Sequence, residues 1–147
     1  MEFISQSAEE TQKIAADLVK KLMAKKTRGA LVLGLQGELG AGKTTFIQGL
    51  AKAIGIKDRV LSPTFVLMKH FNISTFEHFN SLYHIDCYRI EKPQDTEVLG
   101  FRDILKNPEN LVVIEWAEKI KNILPADTVW LEFEHLGEDK RGVQLKM

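Results

Sequence analysis

Between positions 37 and 44 the chain reads Gly37-Glu38-Leu39-Gly40-Ala41-Gly42-Lys43-Thr44, a glycine and four residues followed by Gly-Lys-Thr. Chance produces Gly-x4-Gly-Lys-Ser/Thr in roughly one chain of this size in a few hundred, taking Gly at about 7% of residues. The flanks therefore decide what the pattern means. Upstream, Ala30-Leu31-Val32-Leu33-Gly34-Leu35 reads as a short buried strand. Downstream, Phe46, Ile47, Leu50, Ala51 and Ile54 recur at helical spacing, and Gly55 is placed to stop the helix. Strand, glycine loop and helix in immediate succession is the setting a phosphate-binding loop needs, and the rest of the chain has to be built around it.

The residue types suit that chemistry. Glycines let successive backbone N–H groups turn inward and approach a polyphosphate with no Cβ in the way. A helix starting near Lys43 adds the positive end of its dipole. Lys43 supplies a point charge for β- and γ-phosphates, and the Thr44 hydroxyl suits Mg²⁺. Gly37, Glu38, Leu39, Gly40, Ala41, Gly42, Lys43, Thr44 and Thr45 are thus the candidate nucleotide contacts. A plain glycine turn is the competing explanation, and the strand and helix on either side argue against it.

At 147 residues the chain is read as one domain over 1–147, burying roughly two-thirds of its unfolded surface. Twenty basic and twenty acidic residues cancel, so the net-charge footprint of a DNA- or RNA-binding protein is missing. Strong independent tRNA binding is not expected, because phosphate neutralisation supplies most non-specific affinity. One cysteine, Cys87, excludes an internal disulfide framework and suits a reducing cytosol. No apolar run has membrane-spanning length, and Met1-Glu2-Phe3 does not open a signal peptide. A cytoplasmic protein without a membrane partner is the expectation.

In chain order, Ser7-Ala8-Glu9-Glu10 has capping-box spacing and predicts a helix start. Ile14, Leu18 and Leu22, with Ala15 and Val19 beside them, make its apolar stripe. Lys20, Lys21, Lys25 and Lys26 gather at its end, where cations favour the dipole, and a basic patch is the alternative. Pro63 holds Ser62 extended and removes a ladder donor, so residues 62–64 are a loop. It is either a switch segment, with Thr64 sensing a γ-phosphate or Mg²⁺, or an ordinary proline turn opening a strand. Residues 65–70 and 81–88 read as strands joined by the turn-rich stretch 71–80, whose Phe71, Phe76 and Phe79 either fold back on the sheet or meet a partner.

The second of these strands runs Leu82-Tyr83-His84-Ile85-Asp86 and ends in an acid, as a Mg²⁺-holding carboxylate opposite a phosphate loop would. His84 and Asp86 share a face, so a metal pair must be weighed, but one pair closes no zinc site. Asp86 as the Mg²⁺ ligand, with His84 as neighbour, is the preferred reading. Arg89 is a candidate phosphate or partner contact, although an Arg next to acids more often serves the structure. Residues 93–100 and 101–105 predict two short helices, the first stopped by Gly100. Leu111-Val112-Val113-Ile114-Glu115-Trp116 is an apolar strand for the middle of a sheet, and it too ends in an acid. Asp86 and Glu115 therefore stand where a nucleoside triphosphatase needs a metal ligand and a water-orienting group. Residues 117–124 are a short helix or turn. Residues 128–133 and 143–145 form a hairpin that looks structural, with Trp130 and Phe133 as core.

Gly37-Glu38-Leu39-Gly40-Ala41-Gly42-Lys43-Thr44-Thr45-Phe46, Ser62-Pro63-Thr64-Phe65, His84-Ile85-Asp86-Cys87-Tyr88-Arg89, Leu99-Gly100 and Ile114-Glu115-Trp116 together resemble the TsaE (YjeE) family. These are bacterial P-loop ATPases needed to make N6-threonylcarbamoyladenosine in tRNA. Order and spacing match from the first helix to Ile123-Leu124-Pro125, with little family signal in the last hairpin. The resemblance implies an α/β P-loop NTPase-like domain whose mixed β-sheet is flanked by helices, binding ATP and Mg²⁺. Its partners would be TsaD and TsaB, with tRNA met indirectly through that complex. By position Lys43 would be catalytic and hold phosphates, and Thr44 and Asp86 would hold Mg²⁺. Glu115 would act near the metal or the attacking water, Thr64 would belong to a switch loop, and Trp116 would lie beside the site.

A small-molecule or nucleoside kinase also uses such a loop, but it usually brings an arginine-bearing lid, and no Arg-rich insertion occurs here. A GTPase is disfavoured because no Asn-Lys-x-Asp stretch is present.

Overall fold

The structure is a computed structural model that describes residues 1–24, 28–38, 40–57, 68–74 and 79–146. A four-residue strand, β1 (Glu2–Ser5), precedes the first helix, α1 (Ala8–Met23). Ser7 caps that helix as its spacing predicts, its hydroxyl accepting from the Glu10 N–H at 3.1 Å. The reciprocal bond is shifted by one residue: the Glu10 carboxylate accepts from the Gln6 N–H at 3.3 Å. Ala15, Leu18, Val19 and Met23 are buried, while Ile14 and Leu22 pack at the edge of the stripe.

β2 (Leu31–Gly37) leads through the glycine loop into α2 (Lys43–Ala53), which ends at Ile54 and the left-handed Gly55. Helices α1 and α2 pack so closely that a Cβ on Gly49 would lie 2.5 Å from the Gln12 Cα, so the contact requires glycine there. β3 (Met68–Asn72) and β4 (Ser81–Asp86) form the expected antiparallel pair. The strand expected over 65–70 is described from Met68 and runs on to Asn72; residues 65–67 lie outside the described residues. Phe79 is buried and Phe71 packs against the core, so both fold back on the sheet; Phe76 lies outside the described residues.

Pro93–Leu99 is a 3-10 helix stopped by left-handed Gly100, and α3 (Phe101–Lys106) follows directly. β5 (Asn110–Glu115) is buried along its whole length. A second 3-10 helix, Ala117–Ile123, leads to the hairpin of β6 (Val129–His135) and β7 (Arg141–Lys146).

The seven strands make one sheet in the order β1-β7-β6-β2-β5-β4-β3. β6, β2, β5 and β4 run parallel, and antiparallel strands flank them on both sides. This is the mixed α/β sheet the sequence implies. Helices α1 and α2 cover one face over Leu33, Leu35, Leu82, Val113, Leu131 and Phe133. The second 3-10 helix and α3 cover the other over Val32, Ile85, Val112 and Ile114. Phe46 of α2 sets its ring edge-on to Phe133 at 5.3 Å, and burying such a side chain contributes about 1.5–3 kcal/mol.

Parallel register brings the strand ends level. Asp86 lies opposite Glu115, and Glu115 opposite Leu35. The two terminal acids thereby reach the sheet edge over which the glycine loop crosses, at the carboxyl ends of the strands where open α/β sheets place their ligands.

Candidate nucleotide site

The loop leaves β2 at Gly37, whose φ is 142° and whose Cβ, were there one, would sit 2.5 Å from the Phe133 carbonyl oxygen. It enters α2 through Gly42, left-handed at φ 99°. Both positions require glycine, one for room and one for conformation. No side chain caps α2, so the N–H groups of its first turn stay available on the loop side. A helix start with uncapped donors and a glycine entry fits an anion such as a polyphosphate. Leu39 lies outside the described residues, as do Ser62, Pro63 and Thr64 of the expected switch loop and Lys25 and Lys26 of the lysine group.

Lys43 is buried, and its ammonium donates to the Gly37 carbonyl while lying 3.9 Å above the Trp116 ring. Burial pulls it below the ordinary lysine value, and Glu115, Glu118 and Asp86 act in the opposite direction. A cation held over an indole gains on the order of 1 kcal/mol. Trp116 is the one non-glycine among the described residues with positive φ, at 58°. Such strain persists where surroundings enforce it and gathers at functional sites. Here the ring lies against Tyr88, centroids 5.3 Å apart, and against Lys43.

Three side chains meet behind the loop. The Thr44 hydroxyl donates to Glu115 Oε1 at 3.3 Å, and His84 Nε2 pairs with Glu115 Oε2 at 2.7 Å. His84, although on the same face of β4 as Asp86, has its Nε2 engaged by Glu115 of the neighbouring strand β5. Asp86, mostly buried, accepts from the Tyr88 N–H at 2.9 Å. Cys87 beside it is no nucleophile: burial, then Asp86, pushes its thiol up to about 12.

The donor atoms at this edge are the Thr44 hydroxyl and the Asp86 and Glu115 carboxylates. Among the described residues no three His, Cys, Asp or Glu side chains are grouped to cage a metal. Hard oxygen donors without a protein cage fit Mg²⁺, which keeps waters and takes its other ligands from phosphate oxygens. A hydroxyl has one hydrogen and two lone pairs, so Thr44 can donate to Glu115 and still offer oxygen to a cation.

Two features near the loop were not legible beforehand. Arg141, from the hairpin read as structural, lays its stem beside the loop, with Cγ 3.4 Å from where a Gly42 Cβ would stand. Its Nη1 donates to the Gly137, Glu138 and Lys140 carbonyls, which anchors the guanidinium. On the opposite sheet face, a recess past Gly37 is rimmed by Glu2, Glu38, Glu118, Glu132 and Glu134. Those charges disfavour a polyphosphate in that recess. In the same hairpin Phe133 is core as expected, whereas Trp130 is only partly buried.

The sequence profile of the family described as "Threonylcarbamoyl adenosine biosynthesis protein TsaE" matches residues 5–143. The chain belongs to the TsaE family. The match runs from the end of β1 into β7. The chain is similar to the "tRNA threonylcarbamoyladenosine biosynthesis protein TsaE" of Aquifex aeolicus, 37% identical over 98% of this chain and 94% of that one. It is 37% identical to the Bacillus subtilis protein of that name over 92% of this chain and 78% of the other. The Haemophilus influenzae protein of that name is 35% identical over 88% and 77%. Among solved structures, Bacillus subtilis YdiB superposes with a TM-score of 0.73 at 30% identity, over 99% of this chain and 83% of that one.

Proposed function

We propose that this TsaE-family protein is a Mg²⁺-dependent ATPase of one domain, acting in tRNA threonylcarbamoyladenosine biosynthesis as a partner of TsaD and TsaB. The observation that carries the reading is the Thr44–Glu115 hydrogen bond, which joins residues 71 positions apart directly behind an uncapped helix start. The relatives' names supply the pathway.

In this reading the loop N–H groups and Lys43 hold the β- and γ-phosphates. Lys43 leaves the Gly37 carbonyl and the Trp116 ring to do so. Thr44 and Asp86 hold Mg²⁺, which when bound neutralises charge developing on the phosphoryl oxygens. Glu115 keeps the Thr44 hydroxyl oriented and stands next to where a water would be aligned. Trp116, released from Lys43, presents a changed surface beside the site. Partner affinity can respond to nucleotide only through such a difference between states. No helix among the described residues is long and apolar enough to cross a membrane.

The deciding measurement is ATP hydrolysis, with association to TsaD–TsaB measured in parallel in ATP, in ADP and without nucleotide. Hydrolysis stimulated by the partners, and affinity that depends on nucleotide, are expected. Absence of ATP binding would end the ATPase reading, and equal affinity in all three states without stimulation would end the partner reading.

A further inference from the structure

His84 is fully buried at the heart of the sheet edge, and its second ring nitrogen, Nδ1, has no hydrogen-bond partner among the described residues. A purely space-filling position would be served by leucine, which leaves no orphaned polar atom. What the imidazole adds is the 2.7 Å contact to Glu115 Oε2. The tautomer with hydrogen on Nε2 satisfies that pair and leaves a bare lone pair at Nδ1 rather than an orphaned N–H.

The contact has a direction. Glu115 is held at Oε2 by His84 while its Oε1 accepts from the Thr44 hydroxyl at 3.3 Å. A hydroxyl whose single hydrogen points at Glu115 must point its lone pairs elsewhere, and α2 places Thr44 in the turn where the loop meets the helix. We propose that His84 is a positioning residue which, through Glu115, sets the direction in which Thr44 offers oxygen to a divalent cation. Without His84 the carboxylate loses the buried contact that fixes Oε2, and the direction in which Oε1 meets the Thr44 hydrogen is less closely set. This rests on the nucleotide reading above and assigns within it a residue that touches neither nucleotide nor metal.

Glutamine and asparagine at position 84 separate this role from polarity or packing. A glutamine amide nitrogen reaches about as far as Nε2, whereas that of asparagine stops near Nδ1. His84→Gln should retain most activity. His84→Asn should lower kcat, or raise the Mg²⁺ concentration needed for half-maximal hydrolysis, by about tenfold, the low end for partners that orient a metal ligand. Mg²⁺-free ADP affinity should stay unchanged in both, and circular dichroism and melting establish that each is folded. Equal kcat and Mg²⁺ requirement in folded Gln and Asn variants would overturn the proposal. If the Asn variant does not fold, His84→Leu takes its place with the same expectation. Wild-type protein that neither binds nor hydrolyses ATP would remove the nucleotide reading and this inference together; active wild type with an equally active Asn variant removes this inference alone.

Discussion

The glycine loop and the carboxylate edge face each other across the site but are held in different ways. The loop is contiguous, from Gly37 to Thr45, and most of what it offers is backbone: three positive-φ glycines, Gly37, Gly40 and Gly42, and an uncapped helix start. The carboxylate edge is made of side chains from two strand ends, His84 and Asp86 on β4 and Glu115 on β5, buried and aligned by parallel register. Slipping that register by one residue would turn Glu115 to the face where Ile114 now packs. The carboxylates therefore depend on the pairing of the strands, whereas the donors of the loop are set chiefly by its own backbone. Damage to the first should show as lost binding, and damage to the second as lost turnover or metal dependence.

The strongest way to break this contrast is at the carboxylates. Glu115→Gln keeps the shape of the side chain and should lower kcat by about a hundredfold, the scale of a lost general base, with ATP affinity unchanged. Asp86→Asn should instead show its loss as a raised Mg²⁺ requirement. Mg²⁺ titrations of binding and hydrolysis in both variants decide the matter, and a shifted requirement in the Glu115 variant alone would exchange the two roles.

On the loop side, Lys43→Ala should weaken ATP binding by at least about tenfold, roughly 1.4 kcal/mol. Its melting transition should persist, since the ammonium makes one carbonyl contact and one ring contact. Calorimetric titration measures this, and unchanged affinity would remove the loop from the site.

The smallest effect sits on a second contact between the halves besides Thr44–Glu115, Lys43 over Trp116 at 3.9 Å. If nucleotide draws Lys43 away, Trp116 emission should change in a Trp130→Phe background, and the change should disappear with Lys43→Ala. Emission that responds identically with alanine at 43 would show that the halves do not communicate through this pair.

Local pattern carried much of this molecule. The Ser7 cap, the α2 periodicity, the Gly55 and Gly100 stops and the apolar β5 run are short-range features, each legible because a few neighbouring residues decide it. Asp86 and Glu115 were recognisable as strand-terminal acids for the same reason. β1 was not legible: Glu2-Phe3-Ile4-Ser5 has little pattern of its own and becomes a strand by pairing with β7 at the far end of the chain. The hairpin of β6 and β7 was read as structural because its patterning concerns only its core face, yet it delivers Arg141 to the loop.

By itself, then, the sequence determined that a phosphate-type loop joins a strand to a helix, which acids end the strands, and which family the chain resembles. Only the tertiary structure decided that His84 pairs with Glu115 rather than Asp86, that Thr44 also meets Glu115, and that Lys43 rests on a strained Trp116. The division follows from the range of the forces involved. Backbone propensity and periodic burial act within a turn or a strand and leave their record in adjacent residues. Hydrogen-bond partners 31 and 71 positions apart are chosen by strand order and register, which many distant apolar contacts set jointly and no single stretch encodes.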